Sequence, residues 1–133
     1  EISFDDEYFD VVYCIAAFQH LASVEHRQST LKQIHSALKT GGTFIMLNWN
    51  LYSDWANDKY DKFQFETGEF MIPWRDGDRE LLGERYYHGF TPEEMKDLLE
   101  KNGFTSITQS YTKKGILSNK EEGENLLTIA KKA

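Results

Sequence analysis

Phe9-Asp10-Val11-Val12-Tyr13-Cys14-Ile15-Ala16 decides the fold class. The stretch is nearly continuous apolar sequence, rich in β-branched residues. Apolar side chains at both odd and even positions suit a strand whose sheet is covered by helices on both faces, as parallel sheets are. Downstream, Ser23 stands where a helix N-cap is needed, and Glu25 meets the positive end of the helix dipole. Leu31, Ile34 and Leu38 recur at helical spacing, while Lys32, Gln33 and Lys39 face elsewhere. Gly41-Gly42 is expected to stop this helix, since glycine accepts the left-handed conformation at little cost. Residues 43–49, Thr-Phe-Ile-Met-Leu-Asn-Trp, then read as a second buried strand. Residues 1–49 thus form a βαβ unit with a right-handed crossover.

Residues 50–90 read as an irregular, aromatic-rich insertion on the substrate side. Tyr52, Trp55, Tyr60, Phe63, Phe65, Phe70 and Trp74 stand among many charges without clean periodicity, and a helix over 55–65 is the one element suggested. A long irregular segment after a strand is more often functional than ornamental. Order returns with Thr91 as N-cap, Pro92 at the first helical position and Glu94 completing a capping box, with Phe90 and Met95 spaced as a hydrophobic staple. Residues 91–133 carry this helix, which Gly103 ends, and two further strands at 104–111 and 124–131. The polar link 113–123 is short for a parallel crossover, so this last pair is expected to be antiparallel.

The chain of 133 residues is 40% hydrophobic and 14% aromatic, enough for one domain with a real core. It lacks an apolar run of spanning length and a signal-peptide pattern, so the expected location is cytosolic, away from membranes. The single cysteine, Cys14, makes no internal disulfide, and no paired-Cys metal motif is present. His26 and His35 do not have the spacing of a metal pair on a helix, so no metal site is assigned. A formal charge of -7 argues against a generic polyanion binder while leaving room for a local basic patch. Lys113-Lys114 and Lys131-Lys132 read as solvated lysines.

The order β-α-β, insertion, α-β-β resembles the second half of class I S-adenosylmethionine-dependent methyltransferases. The matching residues are Phe9-Asp10-Val11-Val12, His20-Leu21, Arg27 and Leu38-Lys39-Thr40-Gly41-Gly42, with Thr40 where the family usually has proline. The resemblance covers essentially the whole chain. It implies an α/β fold with a partial Rossmann-like sheet, equivalent to strands four to seven of the family, its last pair antiparallel. It also implies that Cys14, Ile15, Ala16 and His20 lie beside the cofactor. Ile72-Pro73-Trp74, Arg85-Tyr86-Tyr87-His88-Gly89-Phe90 and Trp49 are similar to elements of the subfamily that methylates the carboxymethyl group on tRNA wobble uridine. On that resemblance the substrate-side residues are Trp49, Trp74, Arg85, Tyr86, Tyr87 and His88, and the partners are tRNA and a small zinc-binding activator subunit.

The family's Gly-rich turn and the acidic residue that holds the cofactor ribose have no counterpart here. Gly41-Gly42 end a helix instead of opening one, so they offer no amides to a ligand. The expectation is a truncated chain that does not bind S-adenosylmethionine tightly by itself and that pairs with a second copy through the 9–16 edge. Arg85 suits a carboxylate or phosphate, because its guanidinium forks onto two oxygens. Tyr86, Tyr87 and His88 suit a splayed-out base. The bland alternatives make Tyr87 and Phe90 core aromatics, Arg85 an ion-pair partner of Glu80 or Glu84, Cys14 a small buried residue, His20 a loop hydrogen-bonder and Trp74 a packing residue. No catalytic base is assigned, since a carboxylate acceptor with a reference pKa near ~4 is already ionised. Two other functions stay open: methylation of a small carboxylate, and a non-catalytic half-domain that self-associates.

Overall fold

A computed structural model describes residues 3–133, so the first two positions of the 1–49 unit lie outside the described residues. Strand β1 (Phe9–Ile15) pairs in parallel with β2 (Leu38–Trp49), and helix α1 (Val24–Ala37) connects them. The Ser23 side chain accepts from the His26 amide at 3.1 Å, as expected of the cap. The glycines play a different part from the one expected. The helix ends at Ala37, with Leu38 already extended, and Gly41 (φ 76°) turns the chain within the β2 span. A Cβ on Gly42 would stand 2.7 Å from the Lys39 carbonyl oxygen and 3.2 Å from that of Asp10, so the residue permits a close crossing of backbones.

After β2 come α2 (Asp54–Tyr60), β3 (Gln64–Glu66), β4 (Glu69–Arg75) and β5 (Leu81–His88). Helix α3 (Pro92–Lys101), β6 (Phe104–Lys113), β7 (Ile116–Leu117) and β8 (Asn125–Lys132) complete the chain. The main sheet has the order β1-β2-β8-β6-β7, with β8 inserted antiparallel between β2 and β6. The closing pair is therefore antiparallel. The insertion is more regular than its composition suggested: β3, β4 and β5 form a three-stranded antiparallel meander.

Only one face of the main sheet is covered. Phe44, Met46, Phe104 and Ala130 pack there with Leu31 of α1, Met95 and Leu99 of α3, and Phe18 and Phe90 from the connections. Burying each large side chain contributes about 1.5–3 kcal/mol. The other face presents Val11, Tyr13 and Ile15 to solvent, beside the half-buried Ile45, Leu47, Leu127 and Ile129. The strand expected to be covered on both sides is thus an edge strand covered on one side, among the described residues.

The Thr91 side chain caps α3 by accepting from the Glu94 amide at 3.2 Å. The reciprocal half of the expected capping box does not form, because the Glu94 carboxylate turns to His88 instead. No helix of the described residues is long and apolar enough to cross a membrane.

Candidate functional site

The C-terminal ends of β1 and β2 open next to the meander, and strand parity sorts the side chains there. On β5, Tyr87 and Arg85 lie on the face that carries Phe70 and Ile72 of β4, while Tyr86 and His88 lie on the other. The first face is an aromatic wall. The Tyr87 and Trp49 rings stack at 4.9 Å, and Tyr60 continues the stack at 6.4 Å from Trp49. Trp55 meets Tyr60 edge-on at 5.7 Å, and the Lys59 ammonium sits 4.7 Å from the Trp55 ring. Farther out, the Arg85 guanidinium lies 4.6 Å above the exposed Trp74 ring, and both border a groove of roughly 490 Å³. Burial pushes the Tyr87 phenol up, against the opposing charge of Arg85, so it stays a neutral hydrogen-bonding group.

The second face of β5 belongs to a polar clasp. Arg27, buried although charged, donates from Nε to the Leu21 carbonyl at 3.1 Å and from Nη2 to the Tyr86 hydroxyl at 2.8 Å. The Tyr86 hydroxyl donates to Glu69 Oε2. His88 Nδ1 lies 2.8 Å from Glu69 Oε1, and its Nε2 lies 2.7 Å from Glu94 Oε1. Burial, then the bond to Glu69, raises the Tyr86 phenol far above its ordinary range, with Arg27 opposing. Four elements (α1, β4, β5 and α3) are joined by these groups.

Each residue singled out in the sequence can now be located. Trp49, Tyr87, Arg85 and Trp74 come together on the wall. Tyr86 and His88 face away from it, into the clasp. Tyr87 and Phe90 are core aromatics, and Arg85 lies on Trp74 with no ion pair to Glu80 or Glu84 among the described residues. Cys14 is half-buried against the main core, and burial pushes its thiol up, so it behaves as an inert packing residue. Ile15 is exposed at the strand end, and Ala16 takes a left-handed conformation (φ 50°) that is uncommon for a non-glycine residue. His20, on the 3-10 turn Phe18–His20, bonds through Nδ1 to the Tyr86 carbonyl at 2.9 Å and meets the Tyr87 ring at 4.5 Å.

Sequence reasoning missed Arg27, Glu69 and Glu94 as members of this site. Arg27 did leave a signal, because it shares the helical stripe of Leu31 and Ile34, where a charge needs a buried partner. A cleft of about 620 Å³ between Asp6, Lys32, His35, Lys101 and Lys132 lies at the opposite end of β1 and β2 and has no convergent chemistry. No group of His, Cys, Asp and Glu able to hold a metal occurs among the described residues.

Comparison with solved structures decides the fold. A SAM-dependent methyltransferase from Methanosarcina mazei superposes with a TM-score of 0.70 at 21% identity, covering 99% of this chain and 63% of that one. This is a class I methyltransferase fold. A 1,6-didemethyltoxoflavin-N1-methyltransferase from Burkholderia thailandensis, solved with its acceptor and S-adenosylhomocysteine, shares the same fold at a TM-score of 0.63 and 17% identity, over 98% of this chain and 46% of that one. Residues 1–46 match the methyltransferase domain family. Among curated proteins, the mitochondrial 2-methoxy-6-polyprenyl-1,4-benzoquinol methylase of Rattus norvegicus is 32% identical over 124 residues, covering 89% of this chain. The chain spans 36% of that relative's length. The methyltransferase fold places the wall at the C-terminal ends of parallel strands, where open α/β sheets bind their ligands.

Proposed function

We propose that this chain carries the acceptor-binding side of an S-adenosylmethionine-dependent methyltransferase. The observation that supports it most is the aromatic wall of Trp49, Tyr60 and Tyr87, flanked by Arg85, at the C-terminal end of the β1–β2 pair. A flat ring stacks on such a wall, and an anionic substituent suits the guanidinium beside it.

The cofactor supplies an electrophilic sulfonium methyl group. Exposed Ile15, with small Ala16 and Ala17 after it, leaves the end of β1 open and fits one flank of that molecule. No Gly-rich turn opening a helix occurs among the described residues, so these positions provide a flank and not a complete cradle. Trp49, backed by the buried Tyr87, meets the acceptor ring, Arg85 orients its charge, and the meander excludes water from one side, so the contribution is alignment in the sense of proximity catalysis.

Two of the relatives favour a small ring-bearing acceptor, since one is a benzoquinol methylase and the other a didemethyltoxoflavin methyltransferase. A second reading keeps the carboxymethyl group of tRNA wobble uridine, with a zinc-binding activator subunit as partner. It draws on the outward-facing Trp74–Arg85 and Trp55–Lys59 pairs, which offer an RNA a stacking surface with positive charge. Transfer of a labelled methyl group to 4-hydroxybenzoate, to an anticodon stem-loop bearing carboxymethyluridine and to the unmodified stem-loop separates the readings. Label in the small acid and in neither RNA supports the first, label in the modified RNA alone supports the second, and label in both stem-loops alike contradicts both.

The free β1 edge supports one further reading, in which an isolated chain forms a homodimer by antiparallel pairing of β1 with its copy. A monomeric mass by light scattering at high concentration contradicts that.

A further inference from the structure

The four histidines differ in what their ring nitrogens touch. His26 is exposed near the start of α1, His35 bonds the Gly103 carbonyl at the far end of the sheet, and His88 has a carboxylate at each nitrogen. His20 alone stands at the aromatic wall with one nitrogen engaged. Its Nδ1 faces the Tyr86 carbonyl at 2.9 Å, and a carbonyl only accepts, so Nδ1 carries the hydrogen. In the neutral ring the lone pair is therefore on Nε2, which has no hydrogen-bond partner among the described residues. The ring is held edge-on against Tyr87, which is itself stacked on Trp49. The carbonyl that sets the tautomer is held in turn, because the Tyr86 side chain is locked between Arg27 and Glu69.

We propose that His20 Nε2 is the general base of the methyl transfer, and that the acceptor's nucleophile carries a proton before it reacts. The inference rests on the methyltransferase reading of the site and specifies its substrate class: a ring bearing a phenolic hydroxyl, with an anionic substituent toward Arg85. As the phenolic O–H bond breaks, its electron pair stays on oxygen and the proton passes to Nε2. That oxygen forms the new bond to the methyl carbon, while the methyl–sulfur bond breaks with its pair remaining on sulfur. The imidazolium then releases the proton to solvent. A carboxylate acceptor, ionised well below neutral pH, leaves this base without work, so the geometry weighs against a carboxymethyl acceptor.

Two measurements test the proposal. Long-range proton–nitrogen NMR on the labelled chain at neutral pH, assigned by comparison with a His20→Asn variant, is expected to show His20 with hydrogen on Nδ1 and Nε2 bare. The asparagine keeps a donor for the Tyr86 carbonyl but has no base. In a methyl-transfer assay it is expected to slow methylation of the phenolic oxygen of 4-hydroxybenzoate by about 100-fold at neutral pH, and to recover part of that loss as the pH rises toward the range in which the phenol ionises unaided. A hydrogen on Nε2 in place of Nδ1, or an unimpaired His20→Asn variant with the phenol, overturns the assignment. If the unaltered protein does not bind 4-hydroxybenzoate, the acceptor-site reading falls, and the tautomer still decides whether His20 is poised as a base.

Discussion

Adjacent residues of β5 face two different environments. Tyr86 and His88 enter a clasp of hydrogen bonds with Arg27, Glu69 and Glu94, while Arg85 and Tyr87 form part of a wall whose outer end is open to solvent. The clasp ties the meander to α1 and α3; the wall faces the ends of β1 and β2. A strand alternates its side chains with a period of two, so a single segment can be anchored on one side and present a binding surface on the other. The contrast teaches that polar and aromatic residues in one short motif need not share a task. In Arg85-Tyr86-Tyr87-His88, the odd-numbered members join the aromatic wall and the even-numbered ones the polar clasp.

Substitutions can break this contrast. Arg27→Ala is expected to have the largest effect, about 2–3 kcal/mol lost in urea unfolding, because it strips the Tyr86 phenol and the Leu21 carbonyl of their donor and leaves half-buried Glu69 without the charge 4.0 Å away. Tyr86→Phe removes one hydroxyl that bridges Arg27 and Glu69, and is expected to cost about 1 kcal/mol in the same measurement. Hydrogen exchange sharpens that result: the meander amides of Tyr86→Phe should exchange faster while those of β2 and β8 stay protected. Arg85→Ala should shift unfolding least, within about 0.5 kcal/mol, since its guanidinium lies on an exposed ring. A reversed order, with Arg85 more costly than Arg27, would erase the distinction between the two faces.

How much of this was legible in the sequence follows from the range of the interactions. The βαβ unit announces itself through two apolar runs around an amphipathic stripe, and the cap of α3 is written in Thr91-Pro92 with Glu94 close behind. Ser23 and Thr91 act within three residues of themselves, so local pattern suffices. The meander was hidden because its strands are short, and Pro73 and Gly83 both interrupt the usual strand signal. The clasp was hidden for a different reason. Its members, Arg27, Glu69, Tyr86, His88 and Glu94, are brought together only by the packing of four elements. The glycines misled because the apolar helical stripe runs on to Leu38 just before them, yet Gly41 turns the chain within β2 and Gly42 lets β2 pass close to Asp10. Strand parity would have divided Tyr86 and His88 from Arg85 and Tyr87, had that stretch been read as a strand.

All three tryptophans of the chain, Trp49, Trp55 and Trp74, belong to the wall or its rim, so intrinsic fluorescence reports on it selectively. Titrating 4-hydroxybenzoate into the unaltered chain, Arg85→Ala and Tyr86→Phe, with the emission followed in each, tests the assignment of the wall as the acceptor site most directly. The account predicts a saturable change in the unaltered chain, its loss in Arg85→Ala at unchanged folding, and its persistence in Tyr86→Phe. An emission that never saturates, or one that saturates identically without Arg85, would contradict it.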